Sequence, residues 1–151
     1  MNVKQVAINL ISQVDKGAYS NIALNETFKT LNINLKEKAF LTEIFYGVIR
    51  NKKFLDYIIE KNTKEIKKEW IRNLLRISIY QITFMDSDNK GIVWEGTELA
   101  KKKYGVAISK FINGTLRNYL RNKDSELKRL DDEKNYEVLY SIPKWFYDTL
   151  E

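Results

Sequence analysis

The chain has 151 residues, 44% of them hydrophobic but only 6 glycines and 1 proline, so it fits one domain with an ordinary core and favours long helices over a turn-rich β fold. It contains neither cysteine nor histidine, which excludes disulfides, thiolate and imidazole metal sites, cysteine nucleophiles and histidine general bases. The net charge is +6, and residues 50–129 hold 19 basic and 10 acidic side chains, a surplus of +9 that either attracts a polyanion or belongs to lysines that solvate helix surfaces.

Four amphipathic helices are predicted in the first part of the chain. Apolar residues recur at helical spacing from the start, and Gly17 ends this first pattern. Ser20 or Asn21 is placed to cap a second helix, and Asn34 with Glu37 three residues later forms the capping box of a third. The apolar positions of helices two, three and four are Leu24, Phe28 and Leu31, then Leu41, Ile44, Phe45 and Val48, then Phe54, Leu55, Ile58 and Ile59.

The fifth helix is the least obvious element, because residues 77–84 alternate between apolar and polar side chains as a strand does. The preceding apolar residues follow helical spacing, however, and a lone strand among helices would leave its backbone groups without partners. We therefore predict a helix that is apolar nearly all round and lies at the centre of a bundle. Arg76 lies within it, and since a lone buried charge is costly, we expect Arg76 to pair with a carboxylate.

Two further helices and a charged segment follow. The sixth helix ends at Gly105. The seventh has its stripe at Ile108, Phe111, Ile112, Thr115 and Tyr119. Residues 122–140 are mostly charged and are interpreted as a connecting arm rather than core. Ser141 is placed to cap a last helix over residues 141–151 that presents Trp145, so we expect another part of the protein to follow.

The end of the third helix carries the first group of candidate RNA-binding residues, Arg50, Lys52 and Lys53. The helix dipole favours cations at this position, so a structural role is one reading and phosphate contact is the other. Residues 101–103, three successive lysines, span most of a turn and cannot all face one partner. We expect these three to be solvated.

A basic ridge on the seventh helix is the second candidate group. Arg117 and Arg121 lie four residues apart on one helical face, with Lys110 earlier in the helix and Asn113 between. Arginine binds phosphate oxygens in a bidentate manner, so two arginines on one face suit contact with an RNA backbone. Tyr119 either stacks on an unpaired base or lies in the core.

The sequence offers no catalytic or metal site. Carboxylates four residues apart, such as Asp56 and Glu60, belong to helix surfaces, and the six glycines are isolated, so no phosphate-binding glycine loop is present. The N-terminus lacks a signal-peptide pattern, and no apolar run reaches ~18 residues. We therefore expect a cytoplasmic protein without a membrane segment.

Five segments, in their order and approximate spacing, resemble the NusB-like domain, and the resemblance covers nearly the whole chain. They are YSN at 19–21, YGVIR at 46–50, LRISIYQ at 75–81, ELAK at 98–101 and FINGTLR at 111–117. A sixth segment, YSIPKW at 140–145, is similar to the one that leads into the methyltransferase part of the RsmB (Sun) 16S ribosomal RNA cytosine 5-methyltransferases.

The resemblance implies an all-α bundle of about seven helices, arranged as two packed three-helix groups with a C-terminal extension. It implies a NusB-like RNA-binding domain over residues 1–121, which binds and presents ribosomal RNA to a methyltransferase domain in cis. The family's S-adenosylmethionine and catalytic cysteines would lie beyond residue 151, so this chain is expected to bind RNA without methylating it. No cofactor is expected in this chain itself.

The chain departs from the family at two places, and its sequence is also compatible with two other functions. Trp94 stands before Glu95 where the family usually has asparagine, and the first helix has Lys4 as its sole cation, unlike the arginine-rich start of NusB. The alternatives are a free-standing NusB-type antitermination factor that binds RNA and a ribosomal protein, and a helical protein-interaction module. The segment around Trp145 argues against the former.

Overall fold

The structure is a computed structural model that describes residues 2–133 and Val138. Within these residues the chain forms seven α-helices and no strand, which confirms the all-α prediction. The helices are α1, Val3–Asp15; α2, Ser20–Thr30; α3, Leu35–Arg50; α4, Lys52–Asn62; α5, Glu69–Phe84; α6, Asn89–Tyr104; and α7, Val106–Asp132. The predicted last helix, residues 141–151, and most of the second half of the predicted arm lie outside the described residues.

The helices form two groups of three, as the resemblance implied. α1, α2 and α3 contact one another, and so do α5, α6 and α7. α5 also contacts α1, α3 and α4, so it is the element that joins the two groups. α4 connects them along the chain and packs against α3, α5 and α7.

Helix boundaries follow local sequence, with one exception. The Asn34 side chain accepts a hydrogen bond from the backbone N–H of Glu37, and the Glu37 carboxylate accepts one from the backbone N–H of Asn34, which confirms the predicted capping box. The predicted cap of α2 is wrong. Tyr19 occupies that position in an extended conformation without a side-chain bond, because Ser20 is already helical.

α5 is buried on every side along its central part. Residues 73–82 are all buried, including Ser78 and Gln81, which explains why the polar and apolar positions do not separate onto two faces. The Ser78 hydroxyl donates to the backbone carbonyl of Leu74 at 2.9 Å, so this polar group is satisfied inside the helix. The helix prediction for this segment is confirmed.

Arg76 anchors an ion network between α1, α4 and α5, as its burial predicted. It is 5% exposed and donates to both carboxylate oxygens of Asp56, at 2.7 and 2.9 Å, and to Asp15 at 3.0 Å. Burial alone would lower the Arg76 pKa, but the hydrogen bonds and charges of the two carboxylates outweigh it and raise that pKa. Asp15 also pairs with Lys52, and Arg76 donates to the Asn73 amide oxygen at 2.8 Å.

α3 and α5 approach each other closely at Gly47. A Cβ atom added there would overlap Cζ, Cε1 and Oη of Tyr80. That ring is 5% exposed and lies 5.2 Å from the ring of Phe84, and its hydroxyl donates to the Glu43 carboxylate at 3.0 Å. Glycine is therefore required for this packing because it lacks a side chain, although it lies within a helix.

α6 and α7 form an antiparallel pair joined by Gly105, whose φ of 95° favours glycine. α7 then continues through residues 122–132, the first part of the predicted arm. In that part Leu130 is fully buried, and the Tyr57 hydroxyl donates to Glu126 at 2.7 Å. The interpretation of these residues as an arm rather than core is wrong at Leu130, which belongs to the core, while the other side chains of residues 122–132 are exposed or half-buried.

Candidate nucleic-acid interface

The predicted basic ridge lies on the outer face of α7. Lys110, Arg117 and Arg121 are exposed, whereas Ile112 and Leu116 on the opposite face are fully buried and orient the helix. Among the described residues, no carboxylate oxygen lies within 4.0 Å of the three cations of this ridge. The structure thus brings these cations together on one surface, with their charges not neutralised by ion pairs.

Neutral amides hold the two arginines. Arg117 Nε donates to Asn113 Oδ1 at 3.0 Å, and Arg121 Nη2 contacts Asn118 Oδ1 at 3.4 Å. Each bond uses one of five guanidinium N–H donors, so the others can bind phosphate oxygens. Asn113, Arg117 and Arg121, with Lys110, form what we call the α7 ridge.

Asn118 is a positioning residue that the sequence analysis missed. Its amide Nδ2 donates to Asn62 Oδ1 at 2.8 Å, and Asn62 in turn donates to the backbone carbonyl of Ile58 at 2.9 Å. Arg121 is thereby linked to the end of α4. The sequence contains one signal for this role, a polar residue between Arg117 and Arg121. The contact itself could not be predicted, because its partner Asn62 lies 56 residues away in the sequence.

Tyr119 belongs to the core and does not stack on RNA. It is fully buried, and its hydroxyl lies 2.7 Å from the Thr83 hydroxyl. Burial raises the pKa of Tyr119 to about 12, and the charges of Asp124 and Glu126 add to this effect while the Thr83 hydrogen bond opposes it. Of the two readings that the sequence left open, the structural one is confirmed.

The second basic group lies apart from the α7 ridge. Arg50 ends α3, and Lys52 and Lys53 begin α4. Because Asn62 at the other end of α4 contacts α7 beside the ridge, the start of α4 is displaced from that contact by about 15 Å along its axis. Lys52 pairs with Asp15 and so belongs to the Arg76 network. Arg50 is exposed, and its charge and hydrogen bond partly offset the raised pKa of the Tyr80 hydroxyl.

The one cation of α1 is not available to a ligand. Lys4 is 2% exposed, and its ammonium lies 3.2 Å from Oε2 of Glu95 on α6. Burial lowers the pKa of Lys4, and the charge of Glu95 partly offsets that effect. α1 therefore presents no cationic surface of the kind that an arginine-rich first helix would provide.

The part of the chain that the structure describes offers neither a metal-binding cluster nor a membrane-spanning helix. No cluster of three or more aspartate or glutamate residues there could hold a metal ion. None of the helices within that part is long and apolar enough to cross a bilayer. The α7 ridge is therefore the strongest candidate site by charge and exposure.

Comparison with known proteins agrees with the fold. The NusB family model matches residues 1–121. The chain is 28% identical to the probable ribosomal RNA small subunit methyltransferase B of Bacillus subtilis over 95% of its own length, and 31% identical to that of Shewanella oneidensis over 100%. It spans about a third of those two proteins, 33% and 35% of their lengths.

Free-standing relatives are also similar. The transcription antitermination protein NusB of Clostridium novyi is 32% identical over 126 residues, which cover 78% of this chain and 95% of that protein. Relatives of both kinds match most of this chain. Since the family model covers most of this sequence and the helices are arranged as two groups of three, the chain belongs to the NusB family.

Proposed function

We propose that this chain is the ribosomal-RNA-binding, substrate-presenting domain of a 16S ribosomal RNA cytosine 5-methyltransferase, and that it has no catalytic residues of its own. Its similarity to two methyltransferases along 95% or more of its length supports this assignment. A methyltransferase domain in cis would be its partner and would hold S-adenosylmethionine. No residue of this chain is assigned to that cofactor, and the cytoplasm is the proposed location.

The exposed and unneutralised α7 ridge is the observation that carries the RNA-binding part of the proposal. Arg76 and Arg129 donate to carboxylates, whereas Arg117 and Arg121 are bonded only to amides among the described residues. Placing two arginine side chains side by side on a surface without counter-charges costs electrostatic repulsion. A phosphate backbone would remove that repulsion and accept the remaining donors.

A free-standing antitermination factor is the second candidate, because NusB of Clostridium novyi is covered almost completely by the match. The burial of Lys4 weighs against it. An RNA site built on the first helix needs cations there, and the sole cation of α1 is engaged with Glu95. Arg50 and Lys53 remain proposed secondary contacts, and Lys52 would have to leave Asp15 to reach RNA.

The test is binding of a small-subunit ribosomal RNA fragment across a salt series, with the double variant Arg117→Ala/Arg121→Ala. Each phosphate contact that is lost makes the slope of log affinity against log salt shallower by about 0.7 to 0.9. We therefore expect the variant to bind more weakly at low salt and to have a slope that is shallower by about 1.4 to 1.8. The variant Lys52→Ala/Lys53→Ala should change the slope by less, because Lys52 is already paired.

Lys16→Ala/Lys36→Ala is the matched control, since it removes the same net charge from lysines that have no ion pair among the described residues. Both residues are exposed, Lys16 at the end of α1 and Lys36 on α3, and neither helix contacts α7. Equal effects of this control and the ridge variant would contradict a defined RNA surface on α7. Absence of RNA binding at low salt, together with retained affinity for a methyltransferase domain, would favour the helical interaction module instead.

A further inference from the structure

An exposed tryptophan on α6 borders a groove that the proposed function does not use. Trp94 is 66% exposed. This is unusual for tryptophan, because burial of its large indole ring normally stabilises the fold. The groove beside it has a volume of about 580 Å³, which falls within the range of about 300–1,000 Å³ typical of small-molecule sites. Its walls come from α6 and the residue that precedes α1, namely Asn2, Trp94, Glu95, Glu98, Leu99, Lys101 and Lys102.

The charge of this groove is positive once its internal contacts are considered. Glu95 is paired with Lys4 at 3.2 Å and lies 3.5 Å from the Asn2 amide, so its charge is compensated. Lys101 and Lys102 are exposed and have no carboxylate oxygen within 4.0 Å among the described residues. Glu98 is then the one acidic wall residue whose charge opposes theirs.

Helical geometry places the aromatic ring and the cations in order along one side of α6. Residues seven apart share a helical face, so Lys101 follows Trp94 on the same face, displaced by about 10 Å along the axis. Lys102 lines the same groove. A planar ring followed by ammonium groups at this separation matches a nucleotide, whose base stacks on the ring while flanking phosphates contact the lysines.

We propose that Trp94 is a stacking platform for an unpaired base of single-stranded RNA, and that Lys101 and Lys102 contact the phosphates next to that base. This rests on the proposed RNA-binding function and adds a subsite on α6 to the surface on α7. Glu98 lines the same groove, where its carboxylate can accept a hydrogen bond from an exocyclic amine of the stacked base. A docked protein fits these walls less well, because lysine and glutamate are depleted from the cores of protein interfaces.

The test compares Trp94→Leu and Trp94→Phe for binding to a short unstructured RNA and to an RNA duplex of mixed sequence. Stacking on an aromatic side chain is worth about 1–3 kcal/mol per base, which corresponds to a loss of about 5- to 140-fold for Trp94→Leu on the single strand. Trp94→Phe should retain part of the affinity, and neither change should affect duplex binding. Since Trp94 is exposed, both variants should unfold at the same urea concentration as the unaltered chain.

Tyr19→Leu is the matched control, because Tyr19 is 75% exposed and precedes α2, which contacts neither α6 nor α7. It should bind both RNAs as the unaltered chain does. Lys101→Ala/Lys102→Ala should make the salt slope for the single strand shallower by about 1.4. Quenching of tryptophan fluorescence by the single strand, lost in Trp94→Phe, would further support the stacked base.

Failure of this inference is distinguishable from failure of the proposed function. If Trp94→Leu leaves single-strand affinity unchanged while Arg117→Ala/Arg121→Ala lowers it, the stacking subsite is overturned and the α7 surface stands. If Trp94→Leu leaves RNA affinity unchanged but abolishes association with a methyltransferase domain, the groove is a protein contact and the inference is wrong. If the unaltered chain binds neither RNA at low salt, both proposals fail together.

Discussion

The contact between Gly47 and Tyr80 makes a sharp prediction for Gly47→Ala. An alanine in a helix interior normally stabilises by about 1 kcal/mol relative to glycine. Here the new methyl group overlaps the Tyr80 ring, and overpacking costs about 1–3 kcal/mol. Displacing the ring also breaks the hydrogen bond to Glu43, a further loss of about 1.5–3 kcal/mol. We expect the free energy of unfolding to fall by about 1.5–5 kcal/mol, measured by urea unfolding followed by circular dichroism.

Two further variants isolate the cause of that loss. Gly114→Ala is the matched control, because a Cβ there has no atom within 4 Å and the substitution should stabilise by up to about 1 kcal/mol. Leucine at position 80 lacks the three atoms that overlap, so Gly47→Ala should become neutral or stabilising in a Tyr80→Leu background. A Gly47→Ala chain that is more stable than the unaltered one would refute the reasoning.

Two stability predictions concern buried polar groups. Arg76→Met removes the buried partner that Asp56 and Asp15 share and should lower the free energy of unfolding by about 3 kcal/mol; a change below about 1 kcal/mol would mean that water and the remaining cations, Lys52 and Arg72, compensate both carboxylates. Tyr119→Phe loses the hydrogen bond to Thr83 and should cost about 1 kcal/mol near pH 8. Because the folded Tyr119 pKa is about 12 and the unfolded value is about 10, the unaltered chain loses about 2–3 kcal/mol as the pH rises from 10 to 12. The unaltered chain and Tyr119→Phe should therefore unfold at the same urea concentration near pH 11. If their stabilities instead change in parallel between pH 8 and pH 11, Tyr119 ionises in the folded protein as it does in the unfolded chain.

The helices could be predicted because most of them are amphipathic and have local boundary signals. The Asn34 capping box and the Gly105 turn depend on residues within one helical turn, and both were recognised. α5 was predicted by a different argument: a lone strand at this place would have had no partner for its backbone hydrogen-bonding groups. In residues 122–132 the sequence is charged and has few apolar positions, yet they continue α7 and Leu130 belongs to the core. Composition alone did not indicate that contact.

The candidate site was predictable only in part. Arg117 and Arg121 could be placed on one face from their spacing, since that geometry is internal to a helix. The pairing of Lys52 with Asp15 and of Lys4 with Glu95 could not be found this way, because the partners lie on helices that meet through the tertiary fold. Of these two pairs, that of Lys52 with Asp15 concerns a predicted RNA-binding residue.

α7 is one uninterrupted helix of 27 residues, and this continuity gives it the properties of a stiff rod. Arg121 and Asp132 are two points on that rod, separated by about 17 Å along its axis. A bend between them would break successive backbone hydrogen bonds, so their distance and relative orientation stay constant. On the proposed function, RNA bound at the ridge would therefore be held at a set offset from the C-terminal end of α7.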